Sequence, residues 1–232
     1  MHITCVRHVP FEGPGTIAEW AAARGHTLAE VAAPSSEYPT PGSFDMLVLL
    51  GGPMGVYDMG AHPWLGEERA FIAGAIDAGA LLLGVCLGAQ LLADAVGCSV
   101  HAGSEPEIGW YPVRLTDAGR SSSLFEGWPA TFIAGHWHRD TFDLTPPLVA
   151  AASSEVTVNQ AFEACDGRAV GLQFHLEWTP ATLGALVDDC GAELTAGGTW
   201  VQSASELLAG GAEFERSRDL LFEMLDRLEA RL

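Results

Sequence analysis

Residues able to do chemistry cluster first at Gly84-Val85-Cys86-Leu87-Gly88, which has the glycine–x–nucleophile–x–glycine form with cysteine where many hydrolases carry serine. An apolar run, Ala80 to Val85, precedes it, and a helical pattern, Leu87 to Val96, follows. A strand that turns straight into a helix forces the residue at the turn into a strained conformation. Side chains on its neighbours would collide, so glycine is needed on either side. The turn lifts the sulfur out of the sheet and puts Cys86 at a helix N-terminus, where the dipole favours thiolate. The amide of Leu87 is then aimed at a bound carbonyl as an oxyanion donor. A cysteine in isolation reads as a small buried hydrophobe; here glycines, strand and helix all agree on a nucleophile.

A second donor is expected at another strand end. Leu49-Leu50-Gly51-Gly52-Pro53-Met54-Gly55 follows a buried strand, and its bare backbone lets an amide approach a substrate oxygen. No Gly-Lys-Ser/Thr follows, so it is not a phosphate loop.

A thiol nucleophile needs a histidine, and the histidine needs a carboxylate to set its tautomer. His175 ends the strand-like run Gly171-Leu172-Gln173-Phe174, and Glu177 lies two residues on. Residues two apart on an extended chain share a face, so Glu177 can hold one ring nitrogen while the other faces Cys86. His175-Leu176-Glu177 also matches half of a zinc-deaminase signature, but its Pro-Cys-x-x-Cys half is missing. His136-Trp137-His138 could ligate a metal on an extended segment, with no third ligand obvious. Neither a metal nor a cofactor is expected.

These groups need elements to carry them. His2 to Arg7, Thr27 to Ala32, Asp45 to Leu50 and Ala80 to Val85 read as strands. Gly15 to Arg24, Gly66 to Ala78 and Leu87 to Val96 read as helices, with Gly25 as a stop. Ala33 to Ser43 reads as a loop. This alternation predicts an α/β fold: an open, mostly parallel sheet with helices on both faces. The second half predicts a more antiparallel region of short strands: Ile108 to Leu115, Thr131 to Ala134, Leu148 to Ala152, Val156 to Phe162 and Ala169 to Phe174. Residues 181–194 and 203–230 read as helical. In the last helix Leu220, Leu221, Met224, Leu225 and Leu228 predict a face packed on the body, with a dimer or partner surface as the alternative, so a homo-oligomer stays open. No linker or repeat divides the chain, so residues 1–232 are expected to form one domain with a C-terminal helical extension at about 195–232.

The chain has 232 residues, 48% hydrophobic, enough for a sizeable core. Eleven Lys and Arg against thirty Asp and Glu leave a formal charge of −19. That excludes a basic phosphate-binding surface and argues against nucleic acid and anionic membranes. Five scattered cysteines without a CxxC pair predict neither a disulfide framework nor a zinc ribbon. The start lacks a signal-peptide core, and the most apolar stretch, Ala78 to Ala89, is shorter than the roughly 20 residues of a membrane helix. A reduced, cytoplasmic protein is expected.

Together these segments resemble class I glutamine amidotransferases, of the stand-alone type similar to the glutaminase domain of GMP synthetase. Leu50-Gly51-Gly52-Pro53, Gly84 to Gln90 and Gln173 to Glu177 carry the resemblance. Glu107 to Trp110, Trp137 to Phe142 and Asn159 to Phe162 support it over nearly the whole chain. The resemblance implies a flavodoxin-like α/β fold and a triad of Cys86, His175 and Glu177. It implies an oxyanion hole from the amides of Gly52 and Leu87, and a pocket bordered by Gln90, His138, Arg139 and Asp140. The implied reaction is hydrolysis of the glutamine side-chain amide through a γ-glutamyl thioester. A separate synthase would accept the ammonia. The alternatives are a free-standing hydrolase of γ-glutamyl compounds and a non-catalytic binding protein. Relatives usually carry glycine where this chain has Arg139. That side chain narrows the pocket, pairs with a substrate carboxylate, or points to solvent.

Overall fold

The continuous apolar runs become adjacent parallel strands: β3 is Met46–Leu49 and β4 is Leu81–Val85, every residue of both buried. A strand covered on both faces has no polar side to alternate with. The computed structural model describes residues 1–34 and 37–232. Ser35 and Ser36, within the expected loop from Ala33 to Ser43, lie outside the described residues. The remaining strands are β1 His2–Arg7, β2 Thr27–Ala32, β5 Val100–Leu115, β6 Thr131–Phe142, β7 Val149–Ser153, β8 Ala161–Ala164 and β9 Ala169–Leu172. The helices are α1 Thr16–Ala23, α2 Trp64–Asp77, α3 Leu87–Ala95, α4 Asp117–Ser121, α5 Pro180–Cys190, α6 Ala204–Leu208 and α7 Ala212–Glu229.

The nine strands of the described residues join one sheet in the order β2-β1-β3-β4-β9-β8-β7-β5-β6. From β2 to β9 the neighbours are parallel. From β9 to β6 they are antiparallel. The antiparallel region is therefore a continuation of the parallel sheet, joined at β9. Alternation along each strand divides the core between two faces. Met46, Val48, Leu81 and Leu83 face Ile17 and Trp20 of α1 and Leu221, Met224, Leu225 and Leu228 of α7. Leu47, Leu49 and Leu82 face Phe71 and Ile72 of α2 and Leu91 and Leu92 of α3. The apolar stripe of the last helix thus packs on the body. Asp226 of α7 also accepts hydrogen bonds from Trp20 Nε1 at 2.8 Å and Arg24 Nε at 2.8 Å.

Three expectations about elements change. The strand expected at Val156 to Phe162 begins only at Ala161. Ser154 and Thr157 turn inward instead, because their hydroxyls and the Gln160 amide donate to the buried Glu107 carboxylate. The helix expected over 203–230 is broken into α6 and α7 at Gly210 and Gly211. The Trp110 indole packs where a Gly210 side chain would lie. β5 and β6 are longer than expected and form a ribbon that bulges between Ala102 and Glu107. The five cysteines are free thiols. Among the described residues no helix is long and apolar enough to cross a membrane.

The packing of α3 on β3 and β4 leaves no room at two glycines. A Cβ on Gly84 would sit 2.5 Å from the Gly88 carbonyl oxygen, and one on Gly88 would strike the Leu49 carbonyl oxygen. Both obstacles are backbone and cannot rotate away. Gly88→Ala is expected to destabilise the fold by about 3 kcal/mol, the upper range for overpacking a filled core, read as a lowered midpoint in urea unfolding.

Candidate active site

Four carboxyl ends of neighbouring parallel strands converge, as expected of an open α/β sheet. The segment after β1 brings His8 and Glu12, and the end of β3 brings Gly51 and Gly52. Cys86 follows β4 directly, and His175 lies just past β9. Cys86 has φ 51° and ψ −111° and caps the N-terminus of α3. Its amide donates to the Leu172 carbonyl at 2.8 Å, which ties the turn to β9. Burial pushes the thiol above its ordinary value, with a contribution from Glu12; His175 and the Leu87 amide pull it back down. The Cys86 thiol donates to the Trp137 carbonyl at 3.6 Å.

His175 and Glu177 meet as their spacing predicted. His175 Nδ1 donates to Glu177 Oε1 at 2.6 Å, and Glu177 Oε2 accepts from the Leu176 amide at 3.0 Å. Nε2 has no hydrogen-bond partner among the described residues. Cys86 is the neighbour that acts on this ring beyond Glu177. Burial works to lower the imidazole; Glu177 and then Cys86 outweigh it and hold the ring well above its usual value. The ring stacks on Trp178 with centroids 4.4 Å apart. Trp178 fits because Gly135 on β6 has no side chain: a Cβ there would strike the indole. The backbones of Gly135 and His175 exchange two hydrogen bonds, of 2.7 and 3.2 Å. Trp178 meets Trp110, which meets Phe214 of α7 and donates to the Leu207 carbonyl of α6. The C-terminal helices therefore brace the histidine from behind.

The glycine loop after β3 rests on a second buried histidine. His8 Nδ1 donates to the Gly51 carbonyl at 3.1 Å, and Nε2 faces Glu68 Oε1 at 2.9 Å. Both side chains are fully buried. Burial opposes charge on His8, but Glu68 overrides it and raises the imidazole above its ordinary value. Across a trans peptide the carbonyl and the following amide point in opposite directions. Holding the Gly51 oxygen at His8 therefore turns the Gly52 amide the other way, and Gly52 lines the cleft beside Cys86.

Gln90, His138, Arg139 and Asp140 all line the same cleft, of about 260 Å³. The Gln90 amide donates to Gln173 Oε1 at 3.1 Å. His138 Nδ1 donates to the Asp140 carbonyl at 3.1 Å. Asp140 Oδ2 accepts from the Tyr57 hydroxyl at 2.7 Å, and that bond pushes the phenol up to about 12. Arg139 is exposed and makes no ion pair among the described residues. The sequence reading had no role for Glu12, Tyr57 or Trp178. Glu12 had one usable signal: it follows the carboxyl end of β1.

His136 and His138 do have a third acidic neighbour, Glu107, which supplies what the sequence did not reveal. The three offer donor atoms within 4.8 Å of one another. The space between them is held by the Gln160 amide nitrogen. It lies 2.7 Å from Glu107 Oε2, 3.4 Å from His138 Nε2 and 3.5 Å from His136 Nδ1. Burial pushes His136 down to about 3, so it is neutral. The cluster is a hydrogen-bond network that anchors β5 to β6 behind the cleft.

The model of the class I glutamine amidotransferase family matches residues 19–189. The chain belongs to this family. The chain is similar over nearly its whole length to the glutamine amidotransferase-like protein YfeJ of Salmonella typhimurium. The two are 32% identical over 98% of this chain and 97% of that protein. The fold of this chain matches a crystal structure of a glutamine amidotransferase from Thermotoga maritima. The TM-score is 0.88 at 30% identity, covering 98% of this chain and 97% of that one. A glutamine-hydrolyzing GMP synthase of Latilactobacillus sakei is 34% identical over 56% of this chain, but that match spans only 24% of the synthase.

The His175–Glu177 bond leads to a direct test. Glu177 keeps the imidazole protonated to higher pH, and the imidazolium favours the thiolate. In Glu177→Gln the imidazole loses its proton at lower pH and the thiol loses that support. The rate of Cys86 alkylation by iodoacetamide is expected to fall at neutral pH, with its rise displaced to higher pH. An unchanged profile would contradict this account.

Proposed function

We propose that the chain hydrolyses the side-chain amide of glutamine to glutamate and ammonia, with Cys86 as nucleophile. The observation that carries this reading is the 2.6 Å bond from His175 Nδ1 to Glu177, which leaves Nε2 to the thiol at the strand–helix turn. Family membership supports amide hydrolysis in general, and similarity to glutamine-hydrolyzing GMP synthases supports glutamine.

The steps follow from these groups. The Cys86 thiolate attacks the amide carbon and forms a C–S bond, and the carbonyl electron pair moves onto oxygen. The amides of Gly52 and Leu87 stabilise that oxyanion. The imidazolium of His175 gives its proton to the departing nitrogen as the C–N bond breaks, leaving ammonia and a γ-glutamyl thioester. His175 then takes a proton from water, which attacks the thioester. Glutamate leaves and Cys86 is regenerated. Glu177 keeps the ring in the tautomer that presents Nε2. Gln90, His138, Arg139 and Asp140 are assigned to the amino-acid end of the substrate. A separate synthase is the acceptor assigned to the ammonia.

The exposed, unpaired Arg139 at the rim favours one further reading, a hydrolase of γ-glutamyl peptides. There Arg139 would pair with the carboxylate of the leaving amino acid. Glutamate release from glutamine, compared with release from γ-glutamyl dipeptides, separates the two.

Cys86→Ala and His175→Ala are each expected to lower kcat on the order of 10⁶-fold, and Glu177→Gln on the order of 10⁴-fold, as for hydrolase triads in general. Intact mass spectrometry after brief exposure to glutamine should reveal a glutamyl adduct on Cys86. Full glutamate release by Cys86→Ala would sink the reading.

A further inference from the structure

Four carboxylates line the cleft: Glu12, Asp58, Asp140 and Glu193. Three are accounted for. Asp58 accepts from the Gly55 amide at 2.8 Å, Asp140 accepts from Tyr57, and Glu193 is exposed to water. Glu12 is different. It is half-buried, and its side chain makes no hydrogen bond or ion pair among the described residues. Its carboxylate lies against Gly51: a Cβ on that glycine would strike Glu12 Oε2 and come within 3.6 Å of Cys86 Cβ. The carboxylate therefore stands beside the nucleophile. Cys86, His175, Glu177, His8 and Glu193 are the charged or titratable groups that act on it.

A sheltered carboxylate without a donor is unfavourable unless a ligand compensates it. This one also opposes the thiolate it sits next to. Both effects vanish when a cation binds against Glu12. The glutamyl group carries such a cation a few bonds from the scissile carbonyl. Arg139, the one arginine or lysine among the described residues lining the cleft, has no partner and is free for the carboxylate of the same zwitterion.

We propose that Glu12 is the subsite for the α-ammonium group of a γ-glutamyl substrate, which it binds as a charged acceptor beside Cys86. Binding that ammonium removes the charge opposing the thiolate, so the nucleophile is favoured when a substrate with a free α-amino group is in place. This rests on the glutamine reading above.

The test compares L-glutamine with Nα-acetyl-L-glutamine on the wild-type chain, Glu12→Gln and Glu12→Asp. The wild type should prefer glutamine in kcat/KM by roughly 10- to 100-fold, the size of one charged hydrogen bond. Glu12→Gln should lose that factor on glutamine, gain rather than lose rate on the acetylated substrate because the charge opposing the thiolate is gone, and so lose the preference; Glu12→Asp should keep part of it. Equal losses on both substrates would overturn the proposal, because Glu12 would then serve the fold or the departing ammonia. A second measurement needs no turnover. L-Glutamate should protect wild-type Cys86 from iodoacetamide at lower concentration than N-acetyl-L-glutamate does. Equal protection, or none from either, overturns the subsite even if Glu12→Gln fails to fold. If glutamine is not hydrolysed while L-glutamate still protects preferentially, the glutamine reading falls and the subsite stands.

Discussion

A thiol on a backbone turn with φ 51° is the constraint on which the rest depends. A side chain at positive φ is unfavourable and persists only where its surroundings over-determine it. Here they do. The Cys86 amide is held by β9, the Gly84 Cα packs on the Gly88 carbonyl, and the Gly88 Cα packs on the Leu49 carbonyl of β3. The elbow is therefore locked to the strands on both sides of β4. Those strands carry the other half of the chemistry: β3 leads into Gly51 and Gly52, and β9 leads into His175.

Each of these groups is held by a partner side chain, from a distant part of the chain at Gly51 and Gln90 and from two residues away at His175. His8 and Glu68 orient the Gly51 carbonyl, Glu177 orients His175, and Gln173 holds Gln90. Hydrogen bonds of this kind hold their side chains firmly in a low-dielectric interior. Three groups without a hydrogen-bond partner among the described residues line the cleft: His175 Nε2, the Glu12 carboxylate and the Arg139 guanidinium. A folded chain satisfies its buried polar groups almost everywhere. Single exceptions also occur elsewhere, at Tyr38, Trp128 and Ser217, but at the cleft three such groups of complementary charge face one open space.

Much of the parallel half was legible because strong local signals agree there. Unbroken apolar runs at Met46 to Leu49 and Leu81 to Val85 admit only strands buried on both faces. The glycines around Cys86 announce the turn, and a two-residue spacing puts His175 beside Glu177. The second half was read less well for an identifiable reason. Ser154, Thr157 and Gln160 follow no periodicity, because they are drawn in by Glu107 from a strand about fifty residues earlier. The break between α6 and α7 likewise answers to Trp110, which is remote in sequence.

By itself the sequence determined the turn at Cys86 and the pairing of His175 with Glu177, on which the proposed roles of nucleophile, base and orienter rest, because both depend on backbone geometry within a few residues. It also determined the layered α/β class, since strand and helix periodicities are local. Only the tertiary structure decided which groups surround the thiol. The Glu107 network behind His138, the bracing of His175 through Trp178, and the approach of Glu12 to Cys86 all join segments far apart along the chain. Such contacts depend on strand order and close packing, and no local pattern encodes either. The nucleophile could be read from five residues, whereas the carboxylate facing it needed the whole sheet.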